Sequence, residues 1–212
     1  MCIRDSSYIA TAHNAGYRIN SRVQGNGRAT TGLTPATLSG TTARVLWESG
    51  GTRGGVVAEV EHTGSTICFR TGPNYGNALI GLFDAWGNCI WSWHIWVASY
   101  NPDSSAQTYA SGAVFMDRNL GAIGTDYTQS TACGLYYQWG RKDPFPYPAS
   151  FSSNRPAPFV YHDRFRYEVI HPENSDPADV MTVDWAVKNP TSFIHKACLL
   201  YTSPSPRDGA TS

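Results

Sequence analysis

Ala78-Leu-Ile-Gly-Leu-Phe83, Asp84-Ala-Trp-Gly-Asn88 and Cys89-Ile-Trp-Ser-Trp-His-Ile-Trp-Val97 follow one another without interruption, and their reading decides the fold. The first and third runs are apolar and rich in the β-branched and aromatic residues that suit a pleated, half-buried surface. Asp84, Gly87 and Asn88 tolerate turn conformations, so the chain is expected to reverse between them. In the returning strand, alternation puts Trp91, Trp93, Ile95 and Val97 on one face and Ile90, Ser92, His94 and Trp96 on the other. Large rings on both faces predict a strand covered on both sides, or one at a junction between domains.

Working back from this hairpin, the preceding chain reads as a series of short strands. Ser7-Tyr-Ile-Ala-Thr11, Gly16-Tyr-Arg-Ile-Asn20, Ala43-Arg-Val-Leu-Trp47, Val56-Val-Ala-Glu-Val60 and Thr66-Ile-Cys-Phe-Arg70 are separated by Gly-, Asn-, Pro- and Ser-bearing clusters. That spacing predicts an antiparallel β-sandwich-like domain. Val56, Ala58 and Val60 are expected to face inward, with Val57, Glu59 and Glu61 outward. Residues 24–42, with only Leu33 and Leu38 as large apolar groups, read as an exposed loop.

Working forward, Asn101-Pro-Asp-Ser-Ser105 breaks the pattern and marks a boundary between domains spanning 7–100 and 101–197. A short strand is expected over 113–116. Leu135, Tyr136 and Trp139 suggest a helix over 132–140, which Pro144, Pro146 and Pro148 would end. Residues 149–180 read as largely irregular.

The two ends resemble translated sequencing adapter: Met1-Cys-Ile-Arg-Asp-Ser6, and Cys198-Leu-Leu-Tyr-Thr-Ser-Pro-Ser-Pro-Arg-Asp208 with the residues to 212. Segments 1–6 and 198–212 are therefore expected to be adapter-derived and to lie outside the folded domains. Each carries one arginine and one aspartate, so 16 basic and 16 acidic residues become 14 and 14, and the net charge stays zero. A neutral chain without a Lys/Arg run carries no footprint for nucleic acid or an anionic membrane. No apolar run reaches the roughly 20 residues of a membrane span. Cys68, Cys89 and Cys133 remain; Cys68 and Cys89 either pair or stay as buried thiols. No spacing for metal ligation accompanies them.

Four tryptophans near one another raise the question of a sugar-stacking row. Burying an aromatic ring removes about 150–250 Å² from water, worth roughly 4–6 kcal/mol as an upper bound. Trp91, Trp93, Trp96 and Trp139 are therefore expected in the core, with Tyr136, Tyr137 and Trp86 the rings expected nearer solvent. His94, alone among tryptophans, reads as a hydrogen-bonded structural group. Asp117-Arg-Asn119, framed by Met116 and Leu120, forms a polar knot: Arg118 can pair with Asp117 or Asp143, and Asn119 can cap backbone. The same groups can alternatively hold calcium or a pair of sugar hydroxyls. Arg141-Lys-Asp143 is placed at the helix C-terminus, where cations favour the dipole. No nucleophile elbow, phosphate loop or singled-out carboxylate pair stands out.

Trp91-Ser-Trp-His-Ile-Trp96, Phe115-Met-Asp-Arg-Asn-Leu-Gly-Ala122 and Gly134-Leu-Tyr-Tyr-Gln-Trp-Gly-Arg-Lys-Asp-Pro-Phe145 together resemble the Fibrobacter succinogenes major paralogous domain, over roughly residues 75–195. The resemblance implies a C-type-lectin-like α+β module behind the sandwich, truncated before the family's closing strands, in a mainly β or α+β chain. It implies a surface or secreted protein of Bacteroidetes-type bacteria, in some cases lipid-anchored, found beside fimbrillin-like modules. Expected partners are fimbrial or pilin-like subunits or surface glycans, in a non-catalytic adhesion or assembly role without cofactor or metal. Polysaccharide capture is the alternative; an enzyme related to formylglycine-generating oxidases is a third reading. The expected ligand-binding residues are Asp117, Arg118, Asn119, Tyr136, Tyr137, Trp139, Arg141 and Asp143.

Overall fold

The computed structural model describes residues 7–29, 34–138, 141–146, 159–171 and 182–194. Among the described residues, seven strands occupy the first half: β1 Ser7–Ala10, β2 Gly16–Asn20, β3 Thr42–Ser49, β4 Val57–Thr63, β5 Thr66–Thr71, β6 Gly76–Phe83 and β7 Cys89–Val97. A one-turn helix α1, Pro102–Ser105, follows. Short strands then alternate with loops: β8 Gln107–Thr108, β9 Val114–Phe115, β10 Tyr136–Tyr137, β11 Pro144–Phe145, β12 Phe159–Tyr161, β13 Glu168–Ile170 and β14 Ser192–Ile194. Helix α2, Val183–Lys188, precedes β14. The chain is mainly β.

Two sheets build the core. One has the order β1-β7-β6-β3-β12 and the other β2-β5-β4. Ala78, Ile80 and Leu82 of β6 and Trp91, Trp93, Ile95 and Val97 of β7 pack with Ile19, Val56, Ile67 and Phe69 in one buried cluster between the sheets. The hairpin and its inward face are thus as the alternation predicts. Its turn is held by Asp84, whose Oδ1 accepts from the amides of Trp86 and Asn88 at 2.9 and 2.8 Å. Gly87 takes a φ of 85° there, in the left-handed region that glycine enters without steric cost.

The opposite face of β6 and β7 is also covered, by residues from the second half. Leu79, Phe83 and Cys89 join Leu46 and Trp47 in a second cluster against Leu135, Phe159, Tyr161 and Phe165. Cys89 reaches this face because the register shifts between Leu82 and Phe83, an extra residue at Ile90 resetting the alternation. Strand β12 pairs antiparallel with β3, Tyr161 opposite Trp47, so residues beyond α1 complete the first sheet.

The structure departs from the sequence reading in several places. The first strand runs parallel to β7, Ser7 opposite His94; a pairing across so many residues leaves no local mark. Val57 is buried with Val56, because the register shifts between Val57 and Glu59. Within 24–42, Thr37 bridges to Val23 and Leu38 packs against the core, whereas Leu33 lies outside the described residues. No α-helix forms over the described part of 132–140. A 3-10 turn at Ser130–Ala132 is followed by β10, which pairs antiparallel with β11, Tyr137 opposite Pro144. Leu135 packs instead against the second cluster, and Tyr136 and Tyr137 pair with Phe145 and Pro144 in a ribbon, while Trp139 lies outside the described residues. Residues 149–180, expected to be irregular, contain β12 and β13.

Candidate functional site

Five of the expected ligand residues divide between an open groove, Asp117, Arg118 and Asn119, and a buried network, Arg141 and Asp143. Asp117 and Arg118 form a bidentate pair, Nε to Oδ1 at 2.9 Å and Nη2 to Oδ2 at 3.1 Å. Of the two partners open to Arg118, Asp117 is the one it takes. The guanidinium also lies 4.1 Å from the Tyr100 ring centroid, a cation–π geometry. The Arg118 hydrogen bond holds the Asp117 carboxyl below the usual carboxylate range, against a smaller opposing effect of burial. Asn119 Nδ2 donates to Ala132 O at 3.4 Å, tying the knot to the 3-10 turn. Gly121, at φ 88°, sits 2.8 Å from Leu135 as measured from the position its Cβ would take, so a side chain there would collide.

Asp117, Arg118 and Asn119 line a shallow groove of about 780 Å³ whose other walls include Phe115, Met116 and Tyr127. These three side chains are exposed, Phe115 at 59% and Tyr127 at 91%. Tyr109 packs edge-on against Phe115 from the β8–β9 ribbon, ring centroids 5.4 Å apart. Phe115 and Tyr127 carry little in the sequence to mark them as groove residues; the one signal is a short strand beside a polar loop, which gives rings few neighbours to hide behind.

Arg141, Lys142 and Asp143 are not a solvated helix end: they are 5%, 3% and 2% exposed, the most concentrated buried charge among the described residues. Lys142 Nζ meets Asp143 Oδ1 at 2.6 Å and donates to Ser92 O at 3.0 Å and to Ser92 Oγ. Ser92 Oγ in turn donates to Asp143 Oδ1 at 2.6 Å. Lys142 also stands 4.6 Å from the Trp91 ring centroid. Burial lowers the Lys142 ammonium from its usual value, with Asp143 working against it. Serine, lysine and aspartate in contact can activate a nucleophile in an open site. Here the ammonium donates and does not accept, and all three side chains are sealed from solvent, so the set is arranged to join β7 to the later chain.

Arg141 serves the same joint. It donates to the carbonyls of Ser192 at 2.7 Å, Asn189 at 2.6 Å and Ala186 at 3.1 Å, closing the C-terminal end of α2. Burial pushes its guanidinium down to about 10, still cationic at neutral pH. Tyr136 is exposed at 42% on β10 and is not part of the groove lining, while burial raises the Tyr137 phenol. Trp139 lies outside the described residues. The structure therefore gathers Asp117, Arg118 and Asn119 at one groove and commits Arg141 and Asp143 to the interior.

The remaining candidates for chemistry are internal too. His94 is fully buried, with Nε2 2.9 Å from Asn77 Oδ1 and Nδ1 3.1 Å from Ser7 Oγ. Asn77 Nδ2 donates to Gly121 O at 2.8 Å. Its Oδ1 is then the acceptor, which assigns the imidazole proton to Nε2 and lets Nδ1 accept from Ser7. Burial pushes the His94 ring down to about 3. Cys68, Cys89 and Cys133 are free thiols; Cys68 and Cys89 stand on strands of different sheets and do not pair. Burial pushes the Cys89 thiol up to about 12, which suppresses its thiolate. Trp91, Trp93 and Trp96 are core rings, and Trp86, at 86% exposure, projects from the β6–β7 turn. Among the described residues no three His, Cys, Asp or Glu side chains gather as a metal site, and no helix is long and apolar enough to cross a membrane.

Comparison of the chain with protein-family models, with curated proteins and with solved structures finds no match.

Proposed function

We propose that this chain is a non-catalytic module of a bacterial cell-surface or secreted protein, serving adhesion or assembly, and that its groove at Phe115–Arg118–Tyr127 receives the partner. One observation carries the reading. Aromatic rings stand in water around a pre-ordered Asp117–Arg118 pair, whereas the groups suited to catalysis are folded into the interior. Exposed rings beside an arginine are the side chains that supply most of the affinity at protein contacts. We read the first half as sandwich-like and the second as C-type-lectin-like. The second reading rests on the motif resemblance, and fits its two- and three-residue strands set among long loops. A fimbrial or pilin-like subunit is the partner this reading names, with the protein placed outside the cell.

The test is binding of the purified chain to pilin-like subunits and, separately, to a glycan panel. Phe115→Ala and Tyr127→Ala, each at an exposed position, are expected to weaken subunit binding about tenfold or more, the loss typical of an interface anchor. Unchanged binding in both variants would remove the groove from the account. Binding confined to glycans would favour the carbohydrate-capture alternative, for which the same rings beside a fixed acid–guanidinium pair are the supporting observation.

A further inference from the structure

A second groove, of about 750 Å³, opens between the β6–β7 turn and two later segments, 164–168 and 188–192. It is unlike the first in charge. Arg164, Arg166 and Lys188 line it against a single carboxylate, Glu168. Arg164 Nη2 donates to Gly87 O at 2.9 Å. Arg166 Nη1 donates to Asp163 O at 3.0 Å and Phe165 O at 2.5 Å. Both guanidiniums thus spend only part of their five donors, on neutral carbonyls, and among the described residues neither meets a carboxylate. Lys188 is held by Asp184 at 2.7 Å, and Glu168 Oε2 accepts from Ser192 Oγ at 3.3 Å. Arg44, outside the lining, stands 5.7 Å from the ring centroid of Phe83, which is part of the groove wall.

Trp86 flanks this groove. It is 86% exposed, and the next two residues, Gly87 and Asn88, are part of the lining. Asp84 holds the turn by accepting from the Trp86 amide and from both the amide and side chain of Asn88. Arg164 clamps the same turn at Gly87. The exposed indole therefore stands on a braced turn, one residue before the lining residue Gly87 that Arg164 contacts.

We propose that this groove binds an acidic saccharide, a uronate chain whose carboxylates pair with Arg164 and Arg166 while a sugar ring stacks on Trp86. A guanidinium matches a carboxylate through two parallel N–H donors. A pyranose offers a flat C–H face to the π-surface of an indole, and amide or hydroxyl groups at Asn88, Asn189 and Thr191 suit its hydroxyls. The volume lies within the usual range of small-ligand clefts, about 300–1,000 Å³. This site is separate from the Phe115 groove and does not depend on what that groove receives.

The test is calorimetric titration of the whole chain with three probes: a short oligogalacturonate, a neutral galacto-oligosaccharide of equal length, and a poly-glutamate peptide. The oligogalacturonate is expected to bind at least about tenfold tighter than either, a difference of about 1.4 kcal/mol, and to weaken as salt is raised. Arg166→Ala and Trp86→Ala are each expected to reduce that affinity about tenfold, Arg166→Lys less, and Arg18→Ala, at an exposed position on β2 of the other sheet, not at all. Circular dichroism and the thermal midpoint should be unchanged in all four, since these side chains are exposed. No binding of oligogalacturonate, equal binding of the neutral oligomer, or insensitivity to both alanine variants would overturn the proposal. Poly-glutamate binding as tightly would replace it with an acidic-peptide site.

Discussion

Lys142 Nζ and Asp143 Oδ1 lie 2.6 Å apart with both side chains 2% exposed, and the Ser92 hydroxyl closes the triangle. Opposite charges this deep interact strongly but have lost their hydration, so their net contribution is small while removal of one partner is costly. Asp143→Ala is expected to destabilise by about 3–5 kcal/mol. The triple variant Ser92→Ala, Lys142→Met, Asp143→Leu should recover most of that loss. Urea denaturation of the three proteins measures it; a triple variant as unstable as Asp143→Ala would show that charge itself, and not its pairing, is needed.

His94 predicts a slope of stability with pH. Its folded value, about 3 against 6.5 for the free ring, means that folding favours the neutral imidazole. Between those values the unfolded chain binds the extra proton, so stability is full above about 6.5 and falls as the pH is lowered toward 3. The total is of the order of 4–5 kcal/mol at about 1.4 kcal/mol per pH unit. His94→Gln, which keeps donors and acceptors but does not titrate, should flatten the curve between pH 7 and 4. An equal slope in both proteins would mean that other groups set it.

Glu48 is a second buried anion, organised by backbone. Burial works to raise its pKa, yet the His162 contact at 2.7 Å and the amides of Val56, Gly54 and Val57 together bring it below the usual value. The lowered pKa adds stability that is present above the ordinary carboxylate value and lost as pH falls through the folded one. Glu48→Ala leaves three amides without an acceptor and is expected to cost about 2–4 kcal/mol. Hydrogen exchange at Gly54, Val56 and Val57 should accelerate in the variant; unaltered protection there would show that the loop holds itself.

Two tryptophans separated by seven positions should behave oppositely. Trp93, at 0% exposure between the sheets, is expected to cost about 3–5 kcal/mol when changed to alanine. Trp86→Ala should change stability by less than about 0.5 kcal/mol. Chemical denaturation of the pair compares them directly, and a large loss at Trp86 would mean that the turn, and not a ligand, requires the indole.

The legible part of the fold was the part written locally. Alternation named the inward residues of β7, and Asp84, Gly87 and Asn88 placed the reversal, because a hairpin depends on neighbours in sequence. The parallel pairing of β1 with β7 and the addition of β12 to β3 depend on partners far along the chain, and nothing in Ser7–Ala10 or Phe159–Tyr161 states them. Arg141-Lys-Asp143 misled for the same reason. Three charges after an apolar stretch look solvated until Ser92, Ala186, Asn189 and Ser192 arrive from elsewhere to receive them. At the candidate site, Asp117-Arg-Asn119 was readable as a polar knot, while the exposure of Phe115 and the gathering of Arg164, Arg166 and Lys188 were not. Cations separated in sequence reveal a charged surface only after the chain has folded.

Arg53 Nη2 donates to Tyr161 O, and His162 reaches Glu48, across more than a hundred residues. During synthesis the outer side of β3 must therefore wait, its amides and carbonyls bare, until the ribosome has released Tyr161. For most of its birth the nascent chain carries an open sheet margin, a template to which a neighbouring polypeptide can add before its own strand arrives.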